Sequence, residues 1–349
     1  MRVLIVRIGA MGDVLHAMPA VAALRERCPD WFIGWAIEPR WSDLLQIAGD
    51  PNDLQQIEGR HDPRALVDRW YSVAAGAWKR RPLSWKTRAE VHGLRDVLRG
   101  EQFDIAVDMQ GAVKSAVVGR MAGASALAGA ANPRERAARW LYRQRVETVS
   151  AHVVEQGCEL LGAAVGEALR PVRVRLPMDE MDERWATETV GGERFCLISP
   201  GGGWGAKMWP AERFGRVAAE LGRAGVRTVV NTSPRGSREA ERVVEASEGF
   251  ARTAACTVGQ LIALTRRAVV VVASDTGPLH LAAALERPAV GIFGPTDPAR
   301  NGPYGTRSRV LRDAASATSY KRGAKVEEGM LRIEVGEVVE AAMELVAGS

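Results

Sequence analysis

The stretch Val269–Pro298 reads VVVVASDTGPLHLAAALERPAVGIFGPTDP. Its first five residues, Val269 to Ala273, are apolar without interruption, the pattern of a strand buried on both faces. Ser274-Asp275-Thr276-Gly277-Pro278 then breaks the run with residues that end a strand and open a helix. Thr276 or Gly277 suits a cap, and Pro278 fits the first helical position because its missing N–H would have had no intrahelical partner. The spacing predicts a helix over Leu279–Glu286, stopped before Pro288, and a second buried strand over Ala289–Phe293. Strand, polar loop, helix and parallel strand make one βαβ unit. Open α/β sheets bind ligands at the carboxyl ends of their strands, and the N–H groups of a helix start attract phosphate. A capped helix in an ordinary Rossmann-like repeat would use the same residues, so the loop alone does not decide between the two.

The chain opens MRVLIVRIGAMGDVLHAMPAVAAL. Arg2–Ile8 reads as a short apolar strand and Gly9-Ala10-Met11-Gly12-Asp13 as the turn after it, where glycine lets the backbone bend tightly near a ligand. From Val14 the apolar positions Val14, Leu15, Met18, Val21, Ala22 and Leu24 follow helical spacing, with Pro19 near the start. Asp13 falls at the strand-to-helix junction, where it would serve as a helix cap. These two stretches, with NGPYG just after the second, resemble the signatures of the ADP-heptose:lipopolysaccharide heptosyltransferases, glycosyltransferase family 9, and within it the heptosyltransferase I group. The resemblance implies a GT-B fold, an α/β architecture of two Rossmann-like doubly wound domains facing across a cleft. It also implies that Asp13 is the general base. Glycosyl transfer needs a carboxylate within hydrogen-bond reach of the acceptor hydroxyl, which fits that role. His16 lies one turn on.

At 349 residues the chain has length for two domains, each with its own core. Apolar content of 46% and charged content of 26% are ordinary for a globular protein. No apolar run approaches the roughly 20 residues that span a bilayer, and the N-terminus enters a strand directly, read as the absence of a signal peptide. Cys28, Cys158, Cys196 and Cys256 are dispersed, without C-x-x-C or metal spacing, which suits reduced structural thiols and a cytoplasmic setting. The net charge of +5 is modest. Its distribution, with tryptophans clustered early beside basic residues, suits a surface meeting something anionic and partly greasy.

Phe32–Ile37 reads as a second strand. Residues 50–100 form the most irregular and basic part, with Arg60, His61, Arg64, Arg69, Trp78-Lys79-Arg80-Arg81, Trp85-Lys86 and Arg88. A solvated helical surface accounts for most of these charges. The run WKRR followed by SWK, four of its cations beside two indoles, suits phosphate or carboxylate at a membrane face. By resemblance, Lys79, Arg80, Arg81 and Lys86 contact the phosphorylated lipid acceptor. Nucleic acid could use such charges, but no nucleic-acid fold accompanies them, and none is expected as a partner. Phe103–Met109 reads as a strand before a helix over Ala112–Met121. DMQGAVKSAVVGR resembles the same family, placing Lys114 and Arg120 near the cleft, Arg120 as an acceptor-phosphate ligand and Asp108 as the alternative base. Asn132–Arg145 is a basic amphipathic stretch, Ala151–Leu161 a helix, and the interdomain connection falls near Arg170–Glu180.

The second half opens with a buried strand at Phe195–Ile198, the loop Ser199–Trp209 (SPGGGWGAKMW) and an amphipathic helix over Ala211–Leu221 started by Pro210. Glycine-rich strand-to-helix loops offer backbone N–H groups to phosphate, and a lysine adds a point charge. The Walker A pattern is absent. By resemblance, the ending Lys207–Pro210 is the family's K-x-W-P, its lysine on the donor phosphates, and the donor site takes in Gly12, Pro200, Gly201, Lys207, Asp275, Thr276, Gly277 and His280. His280 alone would read as a core histidine. Three positions depart from the heptosyltransferase I pattern: Gly202 and Gly203 stand for threonines, and Gly236, in the loop after the strand Val226–Val230, for the acid that holds the donor ribose. Glu239 or a backbone carbonyl is the stand-in considered for that acid. Val258–Leu264 and Val335–Val346 read as helices.

The resulting expectation is an acceptor domain over 1–174, a nucleotide-sugar domain over 175–330, and a last helix in 331–349 crossing back to the first domain. The reaction implied is inverting transfer of heptose from ADP-L-glycero-D-manno-heptose to Kdo of the lipid A inner core. It is expected to proceed without a cofactor or essential metal, by a monomer peripheral to the cytoplasmic face of the inner membrane. The alternative is a family 9 glycosyltransferase with another nucleotide sugar or acceptor. A non-catalytic lipopolysaccharide-assembly partner is disfavoured by Asp13, Lys207, Asp275 and His280 together. An NAD-linked oxidoreductase is disfavoured by the absence of G-x-G-x-x-G.

Overall fold

The computed structural model describes residues 1–45, 65–319, 323 and 325–348; Arg60, His61 and Arg64 lie outside them. The chain divides into two compact units, Met1–Arg175 and Leu176–Ser349.

The first unit runs β1 (Arg2–Val6), α1 (Met11–Arg27), β2 (Phe32–Ile37), β3 (Arg69–Ser72), α2 (Ala75–Arg80), α3 (Trp85–Gly100), β4 (Ile105–Asp108), α4 (Val113–Met121), β5 (Ala126–Ala130), β6 (Gln144–Val146) and α5 (Val153–Val165). Its six strands are all parallel, in the order β3-β2-β1-β4-β5-β6. The central strands are buried because helices cover both faces: Val3, Leu4, Ile5 and Val6 have no exposure. The region read as irregular holds the sixteen-residue helix α3, which buries only Leu94 and Leu98 and so shows little apolar pattern. The stretch Asn132–Arg145 holds a 3-10 turn at Arg136–Leu141 and the start of β6.

The second unit runs α6 (Glu180–Val190), β7 (Phe195–Ser199), α7 (Ala211–Arg223), β8 (Arg227–Thr232), α8 (Arg238–Glu245), β9 (Ala251–Ala255), α9 (Val258–Arg267), β10 (Val270–Ser274), α10 (Gly277–Ala284), β11 (Ala289–Phe293), α11 (Pro298–Asn301), β12 (Ser308–Arg312), α12 (Glu328–Arg332) and α13 (Val335–Ala347). Its parallel strands lie in the order β12-β11-β10-β7-β8-β9. Counted from its own first strand, this is the same Rossmann order as in the first unit. In each, the strand order reverses beside the first strand, between β1 and β4 and between β7 and β10, and such switch points open a ligand crevice.

The last helix packs within the second unit: α13 lies on α7 and β10–β12, burying Val338, Ala341, Ala342, Leu345 and Val346 in that unit's core. An Arg309–Glu344 ion pair at 2.8 Å fixes it to β12. Its apolar stripe fills the face that this sheet would otherwise leave to water. Among the described residues no helix is long and apolar enough to cross a membrane.

Candidate functional site

Asp13 stands at the first unit's switch point. The helix α1 begins at Met11, so Asp13 is its third residue rather than its cap. Its carboxylate reaches back to accept from the Ala10 N–H at 3.2 Å. Arg7, just past β1, pairs with the other carboxylate oxygen at 2.8 Å and donates to the Asp13 carbonyl at 3.0 Å and to the Met109 carbonyl beyond β4. One guanidinium thus ties together the ends of the two strands that flank the switch point. Each carboxylate oxygen of Asp13 is used once, the side chain remains 34% exposed, and a lone pair on each oxygen stays open. Arg7 is a site residue the sequence reading missed. Its signal was a charge placed where a buried strand meets the turn.

Asp108, the alternative base, is committed elsewhere. It is 1% exposed and accepts from the N–H groups of Gln110 (2.9 Å) and Gly111 (3.1 Å), the Ser115 hydroxyl (2.9 Å) and the Tyr142 hydroxyl (2.7 Å). Burial pushes its pKa up, against the pull of those four donors. A carboxylate so enclosed holds the β4–α4 turn together rather than meeting a substrate. Asp108→Asn would bring amide hydrogens against groups that already donate, and should cost about 1–3 kcal/mol in denaturant unfolding. ADP affinity, measured by calorimetry, should stay at the wild-type value. His16 is buried on α1 with its ring edge-on to His152 at the start of α5, 5.8 Å between centroids.

In the second unit the switch point is bridged by a buried ion network. Lys207 ends a short 3-10 turn (Gly205–Lys207) after β7, and its ammonium contacts Asp275 Oδ2 at 2.5 Å. Asp275 follows β10 directly. Its Oδ1 meets His280 Nε2 at 3.0 Å, and its Oδ2 also accepts from the Thr296 hydroxyl at 2.6 Å. Burial opposes the charged form of Asp275, but His280 and Lys207 outweigh it and hold the acid well below the usual carboxylate range. The carboxylate therefore stays ionised and anchors Lys207, whose ammonium also lies 5.3 Å from the Trp204 ring centroid. Thr296, on the loop after β11, was not anticipated. Its strand is the neighbour of β10, and GPTDP at that strand's end was the available sign.

Thr276 caps α10 through its backbone, while its hydroxyl turns away to the Ser274 carbonyl at 3.1 Å. The Gly277 N–H opens the helix and has no intrahelical partner. A cationic side chain beside such a helix start can receive a diphosphate. Among the described residues no three His, Cys, Asp or Glu side chains converge as a metal-binding group would.

Known proteins resemble this chain in sequence and in fold. Residues 91–330 match glycosyltransferase family 9 (heptosyltransferase). Lipopolysaccharide heptosyltransferase 1 of Escherichia coli is 31% identical over 325 residues, covering 89% of this chain and 93% of that one. The chain belongs to glycosyltransferase family 9. Two solved structures share its fold. E. coli heptosyltransferase WaaC with ADP has a TM-score of 0.77 at 24% identity over 99% of this chain and 100% of that one. The same enzyme with ADP-2-deoxy-2-fluoro heptose has a TM-score of 0.73 at 24% identity, covering 99% of each. As a family 9 member the chain is a glycosyltransferase of GT-B class.

Within family 9 the K-x-W-P ending now divides into two tasks. Lys207 enters the ion network, whereas Trp209 is buried against Phe214, ring centroids 4.9 Å apart, and donates to the Ile333 carbonyl at 3.3 Å. Pro210 then caps α7. Pro200 and Gly201 begin the loop directly after β7; Gly12 lies in the first unit, beside Asp13 on α1. The departures have physical readings. A side chain at Gly203 would meet nothing within 4 Å, while one at Gly202 would press on Met208 at 2.9 Å. Gly236 has φ +79°, a left-handed conformation in which an acidic residue would be strained. The Ser237 hydroxyl caps α8 and donates to Glu239 at 2.8 Å, holding that carboxyl below its ordinary pKa at the same end of the helix.

The expected acceptor residues separate into two groups. Lys79 and Arg80 end α2, Arg81 follows it and Lys86 lies in the first turn of α3; all four are exposed, and α2 follows β3 at the sheet edge that carries Asp13. Arg120 is not there. It lies in the last turn of α4, which runs back from that edge. The following Ser125 hydroxyl bonds the Asp104 carbonyl at 2.6 Å, at the start of β4. A helix of this length carries its last turn about 10 Å from its first. Lys114, exposed in the first turn of α4, is the cation this helix presents at Asp13's edge.

Proposed function

We propose that the chain transfers heptose from ADP-L-glycero-D-manno-heptose to a Kdo residue of the lipid A inner core, with inversion, in building the lipopolysaccharide core. Asp13 takes the acceptor hydroxyl proton as that oxygen attacks the anomeric carbon. The new glycosidic bond forms while the bond to the β-phosphate oxygen breaks, and ADP leaves with the electron pair. The transition state carries oxocarbenium character, by analogy with glycoside hydrolysis. Lys207 and the N–H groups at the start of α10 neutralise the departing diphosphate, the preorganised charge that generally contributes the most to catalysis. The observation that carries the reading is the Lys207–Asp275–His280 network at a Rossmann switch point. Support for the donor comes from the related enzyme solved with an ADP-heptose analogue.

Lys79, Arg80, Arg81 and Lys86 are assigned to the acceptor's phosphates. The enzyme works at the cytoplasmic face of the inner membrane as a peripheral monomer, without nucleic acid, cofactor or essential metal. With a lysine ammonium and helix N–H groups meeting the diphosphate, turnover should survive EDTA unchanged. The test is ADP release from purified protein with ADP-heptose and Kdo-modified lipid A, with and without chelator. Release that needs both substrates supports the reading. Saturable ADP binding without release under any of these conditions would overturn the acceptor or the sugar. Gly236 motivates the alternative, another nucleotide sugar, and titration with UDP- and GDP-sugars separates the two.

A further inference from the structure

We propose that the segment Lys79–Arg88 is a membrane-docking tip that inserts Leu83 and Trp85 into the interface of an anionic lipid bilayer. The segment reads KRRPLSWKTR, five cations and no acid. Leu83 and Trp85 are each 81% exposed, the largest apolar side chains so open among the described residues of this unit. Trp85 begins α3, more than two turns from the Leu94 and Leu98 that hold the helix down, so it belongs to no core. The other indole of the run is turned inward: Trp78 packs against the first unit's core and donates to Glu90 at 2.8 Å. The exposed pair is thus separated from the packed residue, and Lys79, Arg80, Arg81, Lys86 and Arg88 surround it with exposed charge.

An indole and a leucine ringed by cations match a bilayer interface, where tryptophan rests at headgroup depth and lysine and arginine meet anionic lipid. Charge complementarity selects an anionic lipid surface over a zwitterionic one. The tip also starts at the edge that carries Asp13. The Val73 N–H bonds the Ile37 carbonyl at 2.9 Å, and the Glu38 carboxylate lies beside both Gly9 and Gly76. Docking there would bring a lipid-borne acceptor to the base. The inference rests on the lipid-acceptor reading for its purpose, but its test uses vesicles that contain neither acceptor nor donor.

The experiment is co-sedimentation with phosphatidylcholine vesicles and with vesicles doped with phosphatidylglycerol. Binding to the doped vesicles should be at least about tenfold stronger at low salt and should weaken as salt is raised. L83S/W85S should lose about tenfold of that binding while its ADP affinity stays unchanged, since neither side chain is buried. As a second readout, Ser84→Cys carrying an environment-sensitive dye should shift to the blue on doped vesicles; the four native cysteines are buried and leave the label to this site. Equal binding to both vesicles, wild-type binding by L83S/W85S, or no spectral shift would each overturn the proposal. A failed turnover assay with intact vesicle binding would instead count against the acceptor reading alone.

Discussion

Asp13→Asn is expected to lower turnover by about 10²- to 10⁴-fold, the range that a positioned general base contributes. The amide keeps the size of the side chain and an oxygen to accept from Ala10, so α1 should still start at Met11. It loses the charge that pairs with Arg7 and the basic lone pair that would take a proton. ADP affinity should change little, because Lys207, Asp275 and Thr276 all belong to the second unit. Rapid-quench kinetics beside calorimetry would separate the two effects. A variant with near wild-type turnover would remove Asp13 from the chemistry.

Asp275→Asn should damage stability and donor binding together. The wild-type carboxylate has three partners, Lys207, His280 and Thr296, and almost no contact with water. Removing its charge leaves a largely buried ammonium without a counter-ion, a change that costs about 3–5 kcal/mol in comparable buried pairs. ADP affinity should fall as Lys207 loses its anchor. The pH dependence has a definite sign. The folded pKa lies below the unfolded value of about 3.9, so this group's stabilisation is complete above that value. It is lost as pH falls through the folded pKa. Denaturant unfolding of the wild type should therefore weaken more steeply on acidification than that of Asp275→Asn, and parallel curves would contradict the ion network.

Central strands and loop glycines make the fold legible in the amino-acid sequence. Phe32–Ile37 and Ala289–Phe293 are continuous apolar runs because helices cover both their faces, and the structure places strands at those residues. The edge strands were missed for the opposite reason. Arg69–Ser72, Ala251–Ala255 and Ser308–Arg312 are short, partly exposed and mix polar with apolar residues without regular alternation, so their sequences carry little β signal. Site residues followed a similar division. Lys207, Asp275, His280 and Thr296 all sit in motifs long enough to recognise, but the meeting of Thr296 with Asp275 depends on β11 lying beside β10, which the motif does not state. Arg7 reaches Met109 across more than a hundred residues, a contact that no local pattern encodes. The place of Arg120 in the last turn of α4 follows from the direction in which that helix runs, which a motif does not show.

The most direct test of the account is mass analysis of Kdo-modified lipid A after incubation with ADP-heptose and either wild-type protein or Asp13→Asn. The account predicts that the acceptor gains one heptosyl unit with the wild type and remains unmodified over the same interval with the variant. An acceptor left unmodified by a wild-type protein that binds ADP-heptose saturably would contradict it, as would equal modification by both proteins.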